Sequence, residues 1–383
     1  MIRSNYLGFL LFAFMMVIFF VIPGYEGVQK PFRIALCLSF PVIYFSLLIK
    51  KEISYRTLIP IVGATLLLAM MAFRGTLQSS FVNAWLCLFG LLSMKVLFFE
   101  PTKERKENLR YIHLLAVLSI LLQFLIYSYQ DGRPKLAYEL NLSGAYLFLF
   151  FIAADILGNK WIKLLIIALS LFLLSRLLIF SIVIYFLVKY GKKYFSKVIA
   201  MLNATRMVFG SFVIISLLSL WYTSNIRSNI SYETGFHRIV NLNDGSNQLR
   251  FKANTLALGA IFNLPPEPQV LLGYGPVQNF LNAKKTAIIP HNELLDSIIE
   301  FGLITVIFFS LFTLSAFNRL VSFANLEYFI PLLFYTLILW VRYLLVPSLE
   351  MLFILFLLHF ANEENQRMDD LQSVIKHDLN NKI

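Results

Sequence analysis

Charge is what this chain lacks. Lysine, arginine, aspartate and glutamate make up 14% of its 383 residues, against 58% hydrophobic, whereas soluble domains are about a quarter charged. That shortage excludes an ordinary soluble fold. Cysteine is nearly missing too. Cys37 and Cys87 both fall inside apolar runs, so they read as small buried hydrophobes and not as a disulfide framework or metal site. Nothing resembles a cleavable leader: Met1-Ile2-Arg3 leads straight into the run Tyr6 to Ile22, with no small-residue cleavage site after it. That run reads as a retained first span. There are no heptads, low-complexity tracts or convincing internal repeats.

What is present is apolar runs long enough to cross a bilayer, repeated along nearly the whole chain. They fall at roughly 6–22, 34–49, 57–73, 81–99, 111–129, 142–158, 164–188, 207–222, 298–317, 327–341 and 349–361. The formal charge of +12 is spread unevenly between them. Clusters at Lys50, Lys51 and Arg56, at Lys103, Arg105, Lys106 and Arg110, at Lys160 and Lys163, and from Lys189 to Arg206 mark cytoplasmic flanks. A straight span over 164–188 would put its two basic flanks on opposite sides. Two short helices turning at Ser175-Arg176 bring both inside, and give about twelve crossings with both termini cytoplasmic. The expected organisation is N-terminal transmembrane helices over 1–222, a long extracytoplasmic loop over 223–297, C-terminal transmembrane helices over 298–361 and a cytoplasmic tail over 362–383.

Four stretches carry chemistry. Arg176 stands inside LSLFLLSRLLIFSIVIYF. An arginine there costs about 2.5–3.5 kcal/mol on insertion scales, which calls for a partner or a polar cavity; snorkelling from a helix turn is the bland alternative. Arg250 lies in NDGSNQLRFKANTLALGAIF, where Asp244 or Ser246 can cap a surface helix starting near Asn247. A first-turn arginine gains nothing from the helix dipole, whereas an anionic ligand would gain from guanidinium and free N–H groups together. A solvated basic helix explains it equally well. In VLLGYGPVQNF, Gly273, Gly275 and Pro276 mark a tight turn, without the preceding pore helix of a potassium filter. In IIPHNELLDSIIEFGL, Pro290 ends the loop, Asn292 is a candidate N-cap, and Glu293 and Asp296 suit the first turn of a helix entering the next span. His291 has no capping duty, and its imidazole can take a proton near neutral pH. No H-E-x-x-H or zinc-deaminase pattern surrounds it. Arg33, Arg74, Arg133, Arg227, Arg238, Lys284, Lys285 and Arg342 add to a cationic outer face, which suits an anionic ligand such as phosphate on lipid; scattered solvated charges are the bland alternative for most of them.

Taken in order, LLSRLL (173–178), LRFKANTLAL (249–258), LLGYGPVQNF (271–280) and HNELLDSIIEFGL (291–303) resemble the O-antigen polymerase and O-antigen ligase superfamily of bacterial envelope glycosyltransferases. The shared pattern is a serine-arginine turn, an arginine-bearing helix in a late outer loop, a glycine-x-glycine turn and a histidine-asparagine motif entering the next span. Glu300 and Gly302 stand nine and eleven residues beyond the histidine, as in that pattern. Ala253 or Asn254 stands near the place of a frequent tryptophan, and Leu177 near that of a glycine.

The resemblance implies an all-α integral membrane protein of the C-type membrane glycosyltransferase fold. It implies an inverting, metal-independent transferase that takes an undecaprenyl-diphosphate-linked glycan and needs no cofactor. Arg176 and Arg250 match the diphosphate-binding arginines and His291 the proposed catalytic histidine, with Asn292, Glu293, Glu300, Gly273 and Gly275 in support. The implied reaction is repeat-unit polymerisation of an O-antigen or capsule at the outer face of the bacterial cytoplasmic membrane. Its partners would be lipid-linked donor and acceptor, the bilayer, a chain-length regulator and a flippase, with no nucleic acid. The exterior loops also carry no D-x-D pair of the kind that holds a metal-bound nucleotide sugar. Ligases and protein-glycosylating transferases share the motifs. A rival of another class is a lipid-linked oligosaccharide flippase, which would favour repeated halves and helices broken at midplane; the halves of this sequence do not match.

Overall fold

The computed structural model describes residues 4–22, 26–126, 129–130, 133–134, 140–173, 175–194, 203–225, 245–262, 268–285, 290, 292–338 and 344–380. The described chain is helical, apart from a minimal antiparallel pairing of Tyr129–Gln130 with Arg133–Pro134. Segments Ser4–Val21, Gln29–Ile49, Tyr55–Phe73, Ser79–Leu97, Ala204–Trp221 and Leu303–Leu320 are each long and apolar enough to cross a membrane. Hydrocarbon offers a backbone no hydrogen-bond partner, so such runs must satisfy themselves as helices. Their outward faces are apolar as well, with Val42, Leu66, Val213, Leu217 and Leu311 exposed. The protein is an all-α, membrane-embedded bundle.

In chain order the helices are α1 (Ser4–Met16, continued by a π turn over Val17–Val21), α2 (Glu26–Ile49), α3 (Leu58–Phe73), α4 (Ser79–Leu97) and α5 (Lys103–Ile126). Then come α6 (Leu140–Ile156), α7 (Lys160–Phe172), α8 (Arg176–Gly191), α9 (Ala204–Asn225), α10 (Gly245–Phe262), α11 (Pro268–Leu272) and α12 (Val277–Lys284). The last four are α13 (Glu293–Phe301), α14 (Leu303–Leu320), α15 (Leu326–Ile338) and α16 (Leu349–Asn380). The long loop thus contains helices of its own, and the expected tail continues α16. Gly8 of α1 lies so near the carbonyl of Leu97 in α4 that no Cβ fits between them.

The 164–188 run turns where its flanking charges require. Ser175 stands between α7 and α8 in extended backbone (φ −84°, ψ 100°). Lys163, early in α7, and Lys189, late in α8, both donate to Asp155 at the end of α6; the Lys189 Nζ–Oδ2 distance is 3.0 Å. One carboxylate holding both flanks means that the two helices run out and back. α7 and α8 thus form a helical hairpin that turns at Ser175. Around the same end, Lys192 bonds Glu327 (2.7 Å), Tyr328 bonds Asp155 (2.8 Å), Arg110 bonds the Leu157 carbonyl (3.0 Å) and Lys106 pairs with Glu364. These contacts define a basic face.

At the other end the structure corrects the sequence reading. Residues 298–317 are not one span. Gly302 (φ +84°, ψ 155°) breaks the helix, and α13 folds back beside α14. Glu293 accepts from the backbone N–H groups of Leu344 and Leu345, and the Leu345 carbonyl accepts from Thr313 Oγ1, well down α14. A straight continuation would hold Glu293 and Thr313 about 30 Å apart; here both engage the same residue. The start of α13 therefore lies inside the bundle, not at its lip.

Candidate functional site

Helix α13 is short, amphipathic and buried on both faces. At 100° per residue, Glu293, Asp296, Ser297 and Glu300 share one stripe, while Leu294, Leu295, Ile298, Ile299 and Phe301 take the rest. Every residue of that polar stripe is buried. Carboxylates at such depth need partners. Glu293 has the two N–H groups ahead of α16, at 2.9 Å from Leu344 and 2.6 Å from Leu345. Glu300 accepts from Ser80 Oγ in the first turn of α4, and Asp296 is engaged as well. The stripe thus faces inward, between α4 and the segment that starts α16.

Gly273, Gly275 and Glu300 come together, and their duty is structural. Tyr274 N donates to the Ile299 carbonyl (2.8 Å) and Gly275 N to that of Glu300 (3.2 Å). Gly273 has φ +85° and Gly275 φ +76°, a region that disfavours any Cβ. A Cβ at Gly273 would stand 2.5 Å from the Glu300 carbonyl, and one at Gly302 2.5 Å from that of Leu271. Arg74 closes the group by donating to the Leu272 carbonyl at 3.0 Å. The glycine-x-glycine turn and the Glu-x-Gly sequence are two halves of one backbone clasp.

Arg176 opens α8 at the hairpin tip, half-buried. Beside it, Gly144 of α6 leaves only enough room for Ser175: a Cβ there would lie 2.8 Å from Ser175 Oγ. Arg250 is half-buried on α10, and neither arginine is without a partner. α10 packs on α13, α13 on α15, and α15 along α8. The elements that bear the two arginines are therefore linked through α13. His291 lies outside the described residues. Its neighbour Asn292 is the N-cap of α13, fully buried, with Oδ1 accepting from Leu294 N and Leu295 N.

A second polar group escaped the sequence reading. Arg33, read there as an exterior charge, donates to Tyr146 Oη (3.0 Å) and Glu350 Oε1 (2.5 Å), and Tyr146 also donates to Glu350 (2.9 Å). The signal existed: Glu350 is the sole acid between Glu327 and Glu363, and such an acid in an apolar run implies a buried cation. Among the described residues, no group of three or more metal-binding side chains gathers. Comparison with family models, with curated proteins and with solved structures finds no match.

Proposed function

We propose that this protein is a polysaccharide repeat-unit polymerase of the outer leaflet, acting on undecaprenyl-diphosphate-linked glycan. The observation that supports it most is the placement of Arg176. A permanently charged fork stands at the tip of a helical hairpin whose two feet are tied to one carboxylate, inside an apolar run where arginine is expensive without a polar purpose. Arg250 is carried on α10, which packs on α13.

In this reading the two guanidinium groups grip the diphosphate by paired N–H donors and stabilise the charge that builds on it. The acceptor hydroxyl oxygen attacks the anomeric carbon from the face opposite the leaving group. The bond from that carbon to the phosphate oxygen breaks, undecaprenyl diphosphate leaves with the electron pair, and the hydroxyl proton passes to His291. Ligation of finished glycan to another acceptor uses the same steps.

The test is complementation of a deletion strain, read as the ladder of glycan chain lengths at matched membrane levels. A polymerase deletion leaves a single repeat unit, and a ligase deletion leaves bare acceptor. His291→Ala and Arg176→Lys should each abolish the long ladder with insertion intact, because lysine offers a point charge in place of a fork. A full ladder from both variants would end the transferase reading. A flippase is the second reading, favoured by the discontinuous α7–α8 and α13–α14 pairs. It predicts that the deletion removes all outward-facing lipid-linked glycan, not chain length alone.

A further inference from the structure

Asn292 does more than capping asks of it. Its Oδ1 accepts from Leu294 N at 3.0 Å and Leu295 N at 3.3 Å, which fixes the amide: turned over, it would aim two N–H donors at two others. The Nδ2 end is thereby held in one direction. It is fully buried, and it donates to none of the described residues. Native interiors rarely strand a buried donor, because nothing replaces the water it loses. Serine or aspartate would cap as well without that cost.

Because α13 turns back at Gly302, Asn292 sits at the depth of Leu344 and Leu345, inside the bundle. The helix bearing Arg250 packs on α13. We propose that the Asn292 side-chain amide is a substrate-binding donor, which hydrogen-bonds an oxygen of the lipid-linked glycan, either a sugar hydroxyl or a diphosphate oxygen. A site built to bind oxygen leaves its donors without protein partners and discriminates strongly against ligands that lack the acceptor. This inference rests on the transferase reading and assigns one more contact within it.

Three substitutions separate the two ends of the amide. Asn292→Ser and Asn292→Asp keep a cap oxygen and remove both amide N–H donors, serine leaving only a shorter-reaching O–H, whereas Asn292→Ala removes cap and donors together. Thermal unfolding of the purified protein should leave the serine and aspartate variants near the parent and lower the alanine variant. Transfer, read from the chain-length ladder, should fall by about ten- to hundredfold in the serine and aspartate variants. Binding of undecaprenyl diphosphate to nanodisc-embedded protein then identifies the acceptor. Weaker binding in Asn292→Ser places the contact on phosphate, and unchanged binding with a shortened ladder places it on the sugar. A normal ladder and normal binding in Asn292→Ser overturn the inference. So does a stability loss in the serine and aspartate variants equal to that of alanine, since the donors would then be structural. If Arg176→Lys fails while Asn292→Ser works, only this inference is lost. A parent protein that neither binds undecaprenyl diphosphate nor restores the ladder removes the transferase reading and this contact with it.

Discussion

Asp155 and helix α13 treat buried polarity in opposite ways. At the basic face Asp155 is saturated: Oδ2 takes Tyr185 (2.5 Å), Tyr328 (2.8 Å) and Lys189 (3.0 Å), and Oδ1 takes Lys163. Four elements are tied by one carboxylate, and nothing is left over for a ligand. At the opposite end, α13 brings a polar stripe into the bundle while Asn292 Nδ2 and Ser297 Oγ are buried without a partner among the described residues. The contrast suggests a division of labour. A fully answered network fixes the fold, and a partly answered one is held ready for something else.

The largest effect should come from the clasp that positions the second end. Gly273 and Gly302 meet backbone to backbone, both at positive φ. Gly302→Ala or Gly273→Ala should therefore cost at least about 3 kcal/mol through strain and clash together, read as a lower thermal midpoint in detergent and loss of function. Gly210→Ala, with nothing within 4 Å of its Cβ, should be neutral or gain up to about 1 kcal/mol from helix propensity. Equal behaviour of the buried and open glycines would show that α13 is not held by this clasp, and the comparison of the two ends would fail.

Much of the first end was legible in the sequence, and much of the second was not. The turn at Ser175-Arg176 followed from charge alone, because Lys160 and Lys163 had to share a side with Lys189 and Lys192. Asn292 as N-cap and Glu293 and Asp296 as first-turn acids also followed, since capping is local chemistry. What hydropathy could not give was the reversal at Gly302. Apart from Glu300 the residues at 298–317 are almost all apolar, and periodicity does not separate one helix from two that double back. The reversal is set by Gly273, about thirty residues earlier in the chain, and contacts that distant leave no local trace. The Arg33–Glu350 pair was not legible for a similar reason: the two residues lie at a sequence separation of 317.

A middle-sized effect should test whether the basic face is structural only. Asp155→Asn removes the charge that both feet of the hairpin share and leaves Lys163 and Lys189 facing an amide. Breaking buried pairs costs several kcal/mol, but side chains of these lysines remain 19% and 33% exposed, so about 1–3 kcal/mol is expected. Activity per folded molecule should not change. A large drop in turnover with little loss of stability would mean that the hairpin tip responds to its feet, and that the two ends are coupled.

The smallest effect belongs to the rim of the same face. Lys106 pairs with Glu364 and so ties the first turn of α5 to α16, with side chains 20% and 29% exposed. Water and salt reach such a pair, and two long side chains must be ordered to form it. A double-mutant cycle with Lys106→Ala and Glu364→Ala should give a coupling of about 1 kcal/mol or less that shrinks further in high salt. A coupling well above that, insensitive to salt, would make the rim as important as Asp155. The basic face would then be held by a distributed network, and saturation of a single carboxylate would no longer distinguish it from the end that carries α13.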